Sequence, residues 1–500
     1  ARASLGPATI GHLEDPVTQL ALTQASGLIT GITPGSAASG AAQLLRVRLG
    51  AFASLGLVAR FDWRLAVALP VALLVTRYLT RRHFVDALEV MLGHSEGLRK
   101  AGYLFDLATT GPAAKELRVF GFGEWLLGRH QREWLGSMTD VWRLRASGRW
   151  RFPAVVALLG GGFGTAFVLL GSAAGRGTIG VGEVMVVGQA LMGTAVLADW
   201  RFNELALEYG LAAVPAVATL TGAASDPGRT SGAAAAAPVH EIRFEGVSFR
   251  YPGRDHDVLA GLDLTIEAGR SLAVVGLNGA GKTTLVKLLA GLYEPTAGRI
   301  TVDGVDLRDL DVRSWQQQIA VVFQDFVRYE LSAADNVGFG AIGAVADRVA
   351  LDEAAARVGA DTLIHGLSRG WETVLSRAFT DGAELSGGQW QRLALARAIF
   401  GMTAGRSVLV LDEPTANLDV RGEAEIFDRL LDITAGATTI LISHRFATVR
   451  RAERIAVIAG GAICEQGTHA ELLTGRGPYA EMFHLQARRF VGPVAAEEPA

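Results

Sequence analysis

Cysteine is almost missing from this chain of 500 residues: Cys464 stands alone. No internal disulfide framework can form, and such a chain suits a reducing compartment. Free Cys is usually deeply buried, so Cys464, closing the apolar run 458–464, is expected to be a small core residue. Charge is thin as well. Only 19% of residues are charged, the net charge is -3, and Lys and Arg form no long basic stripe, so no nucleic acid partner is expected. The N-terminus, Ala-Arg-Ala, carries no compact apolar segment of signal-peptide type. Apolar residues fill the space instead. They make up 50% of the chain, and the mean hydropathy of +0.28 leans toward a polypeptide partly embedded in lipid. The length leaves room for two or three domains.

The two halves differ. Up to about residue 220 the chain is rich in Leu, Ala, Val and Gly. The stretch 152–175 has no charged residue and is long enough to cross a hydrocarbon core of roughly 30 Å as a helix. A second span, 184–198, follows the glycine-rich turn 176–182 and closes on Asp199, Trp200 and Arg201. Two weaker spans precede them, 41–59 with Arg46 and Arg48 near its start, and 63–79 with Arg64 and Arg77 near its ends. Arg81 and Arg82 follow the second of these, and Arg145, Arg149 and Arg151 precede 152–175. Such clusters favour the cytoplasmic side, which puts the short connections 60–64 and 171–183 outside and returns the chain inside after four crossings. The spans show no acidic pair or basic cluster pointing to a charged cargo. Between them, 81–150 is amphipathic and reads as helices that continue into the cytoplasm, turn near 109–112 and come back. Residues 222–238 form a small-residue linker with no anchoring apolar pattern.

Beyond the linker the texture changes. Residues 242–251 alternate like a half-buried strand, and 299–307 carry an Asp303-Gly304 hairpin turn. Buried-strand runs at 272–275, 408–411, 439–442 and 455–458 alternate with helical segments, the pattern of an α/β layer with a mostly parallel sheet.

Five motifs in this half carry chemistry. Gly276-Leu-Asn-Gly-Ala-Gly-Lys-Thr283 follows a strand and opens a helix, the context of a phosphate-binding loop. Gly276, Asn278, Gly279 and Gly281 let backbone N–H groups turn toward a phosphate, and the helix N-terminus, with Thr284, adds partial positive charge. Lys282 can reach the β- and γ-phosphates, and the Thr283 hydroxyl can serve Mg²⁺. Asp412 and Glu413 end the strand run 408–411. Asp412 suits the metal, and Glu413, pointing elsewhere, suits the general base. Gln324, after the strand-like run 319–323, can ligate the ion and sense the γ-phosphate, and His444 can hydrogen-bond that phosphate. Ser386-Gly387-Gly388-Gln389, after Leu385, opens a helical run and makes a second phosphate nest. One chain has one γ-phosphate but two nests, so the second is expected to serve a partner's nucleotide in a head-to-tail dimer.

These residues resemble the nucleotide-binding domain of ATP-binding cassette (ABC) transporters. The resemblance covers roughly 240–485. It implies ATP and Mg²⁺ as cofactors, Tyr251 stacking on adenine, and Asp419, in Ala416-Asn-Leu-Asp419, on the loop that crosses the dimer interface. Family members more often read Ser-Ala-Leu-Asp there, and 379–384 lacks the usual exporter-type Thr-x-Val-Gly-Glu-x-Gly. The N-terminal half resembles an exporter-type half-transporter, whose family has six membrane helices. His12-Leu-Glu-Asp-Pro16 resembles its first cytoplasmic coupling region, 100–111 the second, and Lys115-Glu-Leu-Arg-Val-Phe-Gly121 the start of its fifth helix. The first two helices are therefore expected to be missing from this sequence.

The expected fold is an all-α polytopic membrane domain (1–221), the linker (222–238), an α/β P-loop NTPase domain of ABC type with antiparallel β and helical subdomains (239–487), and a tail (488–500). The expected activity is ATP hydrolysis coupled to export of an unidentified, hydrophobic substrate: a lipid, a peptide or a small natural product. The expected setting is the plasma membrane, in contact with membrane lipid, with the nucleotide-binding domain cytoplasmic. The partner is a second half-transporter, identical or related. A non-transporting ABC ATPase with a helical arm and an ATP-driven importer are the alternatives.

Overall fold

The computed structural model describes residues 6–26, 34–93, 95–111, 113–147, 151–198, 202–224, 232–414 and 433–490. They form two compact units, Ala21–Ala218 and a second made of Ala1–Leu20 with Thr219–Ala500.

The first unit is helical. After the short helices α1 (Gly11–Glu14) and α2 (Pro16–Ser26), it contains α3 (Pro34–Phe61), α4 (Trp63–Gly93), α5 (Ser95–Thr109), α6 (Ala114–Val119), α7 (Gly123–Ser147), α8 (Arg151–Gly175), α9 (Val181–Thr194), α10 (Phe202–Ala212) and the start of α11 (Val214–Ala224). Among the described residues four stretches are long and apolar enough to cross a bilayer: Gly35–Phe61, Trp63–Arg82, Phe152–Gly175 and Val181–Ala198. They coincide with the four spans read from the sequence. Large side chains such as Leu45, Leu49, Phe52 and Val71 lie exposed along them, a surface that water would not tolerate but lipid would. The 31 residues of α4 extend about 46 Å, well beyond a hydrocarbon core of roughly 30 Å, so the part after Arg82 projects past it. The turn expected near 109–112 lies between α5 and α6.

One expectation for this unit needs correction. Residues 115–121 do not start a long helix: α6 stops after six residues, and Gly121 in a left-handed conformation (φ +66°) breaks the chain before α7. Arginines of the first two spans find partners outside the four spans, on α10. Arg77 of α4 donates to the buried Glu204 of α10 at 2.6 Å, Arg48 of α3 reaches the same carboxylate at 3.5 Å, and Arg81 pairs with Glu208 at 2.7 Å. Sequence separations of more than 120 residues hid these contacts.

The second unit is built on two sheets. β1 (Glu241–Phe249), β2 (Leu259–Glu267), β4 (Ala297–Val302) and β5 (Val305–Asp306) form an antiparallel sheet in the order β2-β1-β4-β5. The other sheet combines β3 (Ser271–Val275), β6 (Ile319–Val322), β7 (Val408–Asp412), β8 (Thr438–Ile442), β9 (Arg454–Ala459) and β10 (Ala462–Gly467) in the order β10-β9-β3-β8-β7-β6. All its pairings are parallel except that of β10 with β9. The central strands are buried on both faces and read as continuous runs of Val, Leu and Ile, as parallel strands must. Between the sheets lie α12 (Lys282–Leu289) and a core that includes Phe244, Leu285, Leu288 and Trp315. A second core holds the helical subdomain of α14 (Ala333–Gly338), α15 (Arg348–Arg357) and α17 (Gly387–Thr403) around Val337, Leu351 and Leu395.

Three details of this unit were not anticipated. The segment around His12-Leu-Glu-Asp-Pro16 groups with this unit, not with the membrane helices: the Ile10 N–H donates to the Leu292 carbonyl at 3.0 Å, and Gln316 of α13 (Val312–Gln318) donates to the Ala8 carbonyl at 3.0 Å. The described part of the linker is anchored. The Ala233 N–H donates to Asp309, its carbonyl accepts from Asp311, and the Ala235 N–H donates to Ser314 at 2.7 Å. The linker contributes only backbone groups to these bonds, so no apolar pattern announces them. Cys464, expected in the core, is exposed. It sits at an irregularity in the pairing of edge strand β10 with β9, between Ile463 and Glu465, where strict inward–outward alternation is lost.

Candidate active site

In a parallel sheet all strands end on the same side, and ligands gather outside those carboxyl ends. β3 releases the chain into Gly276, β6 is followed shortly by Gln324, β7 ends at Asp412 and Glu413, and β8 leads into Ser443 and His444. The adjacency of β3, β8, β7 and β6 thus brings four motifs, scattered over 170 residues of sequence, to one edge. They line an open cleft of about 1290 Å³, together with Tyr251.

The loop after β3 needs its glycines. A Cβ at Gly276 would stand 2.3 Å from the Ile458 carbonyl oxygen. Gly281 caps α12 at φ +104°, and a Cβ there would meet Leu259 at 2.5 Å. Asn278, Gly279, Thr283 and Thr284 also line the cleft. Lys282 is buried, and its Nζ donates to the carbonyls of Gly276 and Leu277 at 2.9 and 3.0 Å. Burial pulls its pKa below the usual lysine value, while the charges of Glu413 and Asp412 push back.

Asp412 is almost fully buried. Burial raises its pKa, opposed by a hydrogen bond from Thr283 and by Lys282, while Glu413 adds to the rise. Its Oδ2 is buried without a hydrogen-bond partner. Glu413 has positive φ (+48°), uncommon for a residue with a side chain, held by its N–H bond to the Ile442 carbonyl. Both its oxygens are engaged: Gln324 Nε2 donates to Oε2 at 3.0 Å, and His444 Nδ1 lies 3.4 Å from Oε1. Tyr251 bonds Thr284 through its hydroxyl at 3.1 Å and packs edge-on against Phe249 and Tyr293, with Lys287 over its ring at 5.4 Å.

The second nest lies elsewhere. Ser386 caps α17, its hydroxyl accepting from the Gln389 N–H while the Gln389 side chain accepts from the Ser386 N–H. Neither these two nor Gly387 and Gly388 line the cleft. Asp419 lies outside the described residues. The sequence reading overlooked the last helix among the described residues, α20 (Pro478–Phe490), which follows α19 (His469–Thr474) and brings Met482, Leu485 and Gln486 to the cleft. A helix after the last motif shows nothing of its destination in its own periodicity.

A family profile described as "ABC transporter" matches residues 259–416. Over 445 residues the chain is 32% identical to the ATP-dependent lipid A-core flippase of Chromobacterium violaceum, an alignment covering 88% of this chain and 74% of the flippase. The chain belongs to the ABC transporter family. It is also 38% identical to the subtilin transport ATP-binding protein SpaT of Bacillus subtilis over 260 residues, 52% of this chain and 42% of SpaT, so it spans less than half of that relative in the alignment. A solved bacterial Atm1-family ABC exporter with ATP bound has the same fold, with a TM-score of 0.71 at 23% identity, covering 93% of this chain and 81% of the exporter chain. This ABC transporter chain therefore joins membrane helices to an ABC ATPase domain in one polypeptide, as a multi-pass membrane protein.

Proposed function

We propose that the chain is an exporter-type half-transporter that dimerises and couples ATP hydrolysis to outward movement of a hydrophobic substrate through the membrane. The observation that carries this is the fusion itself: four membrane-length helices in the same chain as a cleft that gathers the phosphate loop, Gln324, Glu413 and His444. The relatives named for lipid A-core flipping and subtilin transport support a lipid or peptide as cargo.

Within the cleft, Tyr251 offers an aromatic face to the base, and the amides of 276–283 with Lys282 bind the phosphates. To reach them Lys282 leaves the Gly276 and Leu277 carbonyls. Asp412 Oδ2, buried and unpartnered beside Thr283, fits Mg²⁺, which Thr283, Gln324 and Asp412 would hold. When bound, the ion neutralises phosphate charge and orients the γ-phosphate. Glu413 takes a proton from the attacking water, Gln324 and His444 hold its carboxylate beforehand, and His444 then bonds the γ-phosphate. Ser386–Gln389, absent from the lining of this cleft, close over the partner's nucleotide instead, with Asp419 at the interface. The nucleotide-binding domain then lies in the cytoplasm, and the membrane is the plasma membrane.

The test is reconstitution of the protein in liposomes, with ATPase activity and transfer of labelled lipids and hydrophobic peptides measured together. Vanadate-sensitive hydrolysis stimulated by one cargo class, with ATP-dependent transfer of that class, is expected. Hydrolysis with no transfer or stimulation across the panel rejects the transporter reading.

A further inference from the structure

The loop that carries His444 is gripped by a helix outside all five motifs. Tyr479, Phe483 and Gln486 recur at i, i+4 and i+7 and therefore share one face of α20. The ring of Phe446 packs edge-on against Tyr479 and Phe483, with centroids at 5.2 and 5.4 Å. Tyr479 is fully buried and bonds His469 Nδ1 through its hydroxyl at 2.7 Å, which ties α20 to α19. On this platform the Gln486 amide uses both ends: Nε2 donates to the His444 carbonyl at 3.2 Å, and Oε1 accepts from the Phe446 N–H at 3.2 Å. The backbone on both sides of Arg445 is thereby fixed.

We propose that Gln486 is a positioning residue for ATP hydrolysis: by clamping the backbone of 444–446 it sets where the His444 imidazole stands relative to Glu413 and the γ-phosphate. A side-chain amide suits this loop at any pH, because the loop presents a carbonyl and an N–H together and the amide carries a donor and an acceptor in one planar group. The His444 side chain is half exposed and has little packing of its own to fix it, so its aim depends on its backbone. The C-terminal helix is then part of the catalytic apparatus and not a trailing element.

The inference rests on the reading of His444 as the contact to the γ-phosphate, so the experiment carries His444→Ala beside Gln486→Leu and Gln486→Glu. All are made in the full-length protein in nanodiscs. For Gln486→Leu, kcat is expected to fall between about tenfold and 100-fold, the range for a slight misplacement of a reacting group, with the KM for ATP and the thermal midpoint within error of the parent. For Gln486→Glu, the introduced carboxyl can donate to the His444 carbonyl only when protonated. Its activity relative to Gln486→Leu is therefore expected to rise as pH is lowered from about 7 to about 5, toward the ordinary glutamate range, a signature that loss of packing does not produce. If Gln486→Leu fails to fold, the isosteric Gln486→Glu carries the test alone, with its pH profile read against the parent. Parent-like kcat in both Gln486 variants while His444→Ala is inactive overturns the positioning role. Parent-like kcat in His444→Ala overturns the site reading beneath it.

Discussion

Glu413 is the residue where structure and chemistry meet most tightly. A left-handed backbone is costly for any side chain, on the order of 1–3 kcal/mol, and persists only where the surroundings over-determine it. Here the N–H bond to Ile442 holds it, and the carboxylate is swung away from Asp412 toward Gln324 and His444. Two neighbouring acids are thus kept to two tasks, one buried beside Thr283 and one facing the cleft. Glu413→Gln keeps the shape but exchanges one acceptor oxygen for an N–H donor and cannot accept a proton. It is expected to bind ATP like the parent and to lose steady-state turnover by about 10²–10⁴-fold, with nucleotide binding and phosphate release as the paired measurements. Turnover retained within threefold would remove Glu413 from the role of base.

At the scale of elements, the hairpin turn between β4 and β5 does more than reverse the chain. Asp303, at φ +48°, accepts from the N–H groups of Val239, His240 and Glu241 at 2.8, 2.8 and 2.9 Å, fixing the entry of the linker into β1. Burial pushes its pKa up, but the three backbone donors and His240 outweigh that and hold it below the usual carboxylate value. A depressed folded-state value contributes stability above the unfolded value, and this is lost as pH falls through the folded one. The parent is therefore expected to lose thermal stability more steeply between about pH 5 and pH 3 than Asp303→Asn, which tolerates the same backbone but has no charge to titrate. The Asp-Gly pair made this turn legible in the sequence, as continuous Val, Leu and Ile runs made β3, β7, β8 and β9 legible. Order among those strands was not legible, because parallel pairing joins segments far apart in the chain. Nor was the anchoring of the linker at Ala233 and Ala235, to which the linker itself contributes only backbone groups. The motifs could be read because phosphate chemistry needs particular residues at short spacing. Gln486 could not, since one amide at the end of a helix gains meaning only from the loop it meets.

At the scale of the whole molecule, the argument turns on two nests and one cleft. Ser386–Gln389 open α17 away from the lining of the cleft, so the question is whose nucleotide they meet. Mixed dimers answer it through the arrangement of two lesions, Lys282→Ala in the phosphate loop and Ser386→Arg in the nest. If each site is shared, placing the lesions on different chains damages one site twice and leaves the other whole. Placing both on one chain, opposite an unaltered partner, damages each site once. If each chain works alone, the outcomes reverse: separate lesions disable both chains, and combined lesions leave one chain intact. The shared arrangement predicts roughly half the parent ATPase activity for separated lesions if the two sites turn over independently, and at least about tenfold less for the combined ones, since either lesion removes charge or hydrogen bonds at a phosphate. Measuring both dimers after tandem affinity purification compares protein of identical composition, so a difference between them comes from which chain completes which site. Greater activity in the combined-lesion dimer would mean that the nest serves its own chain.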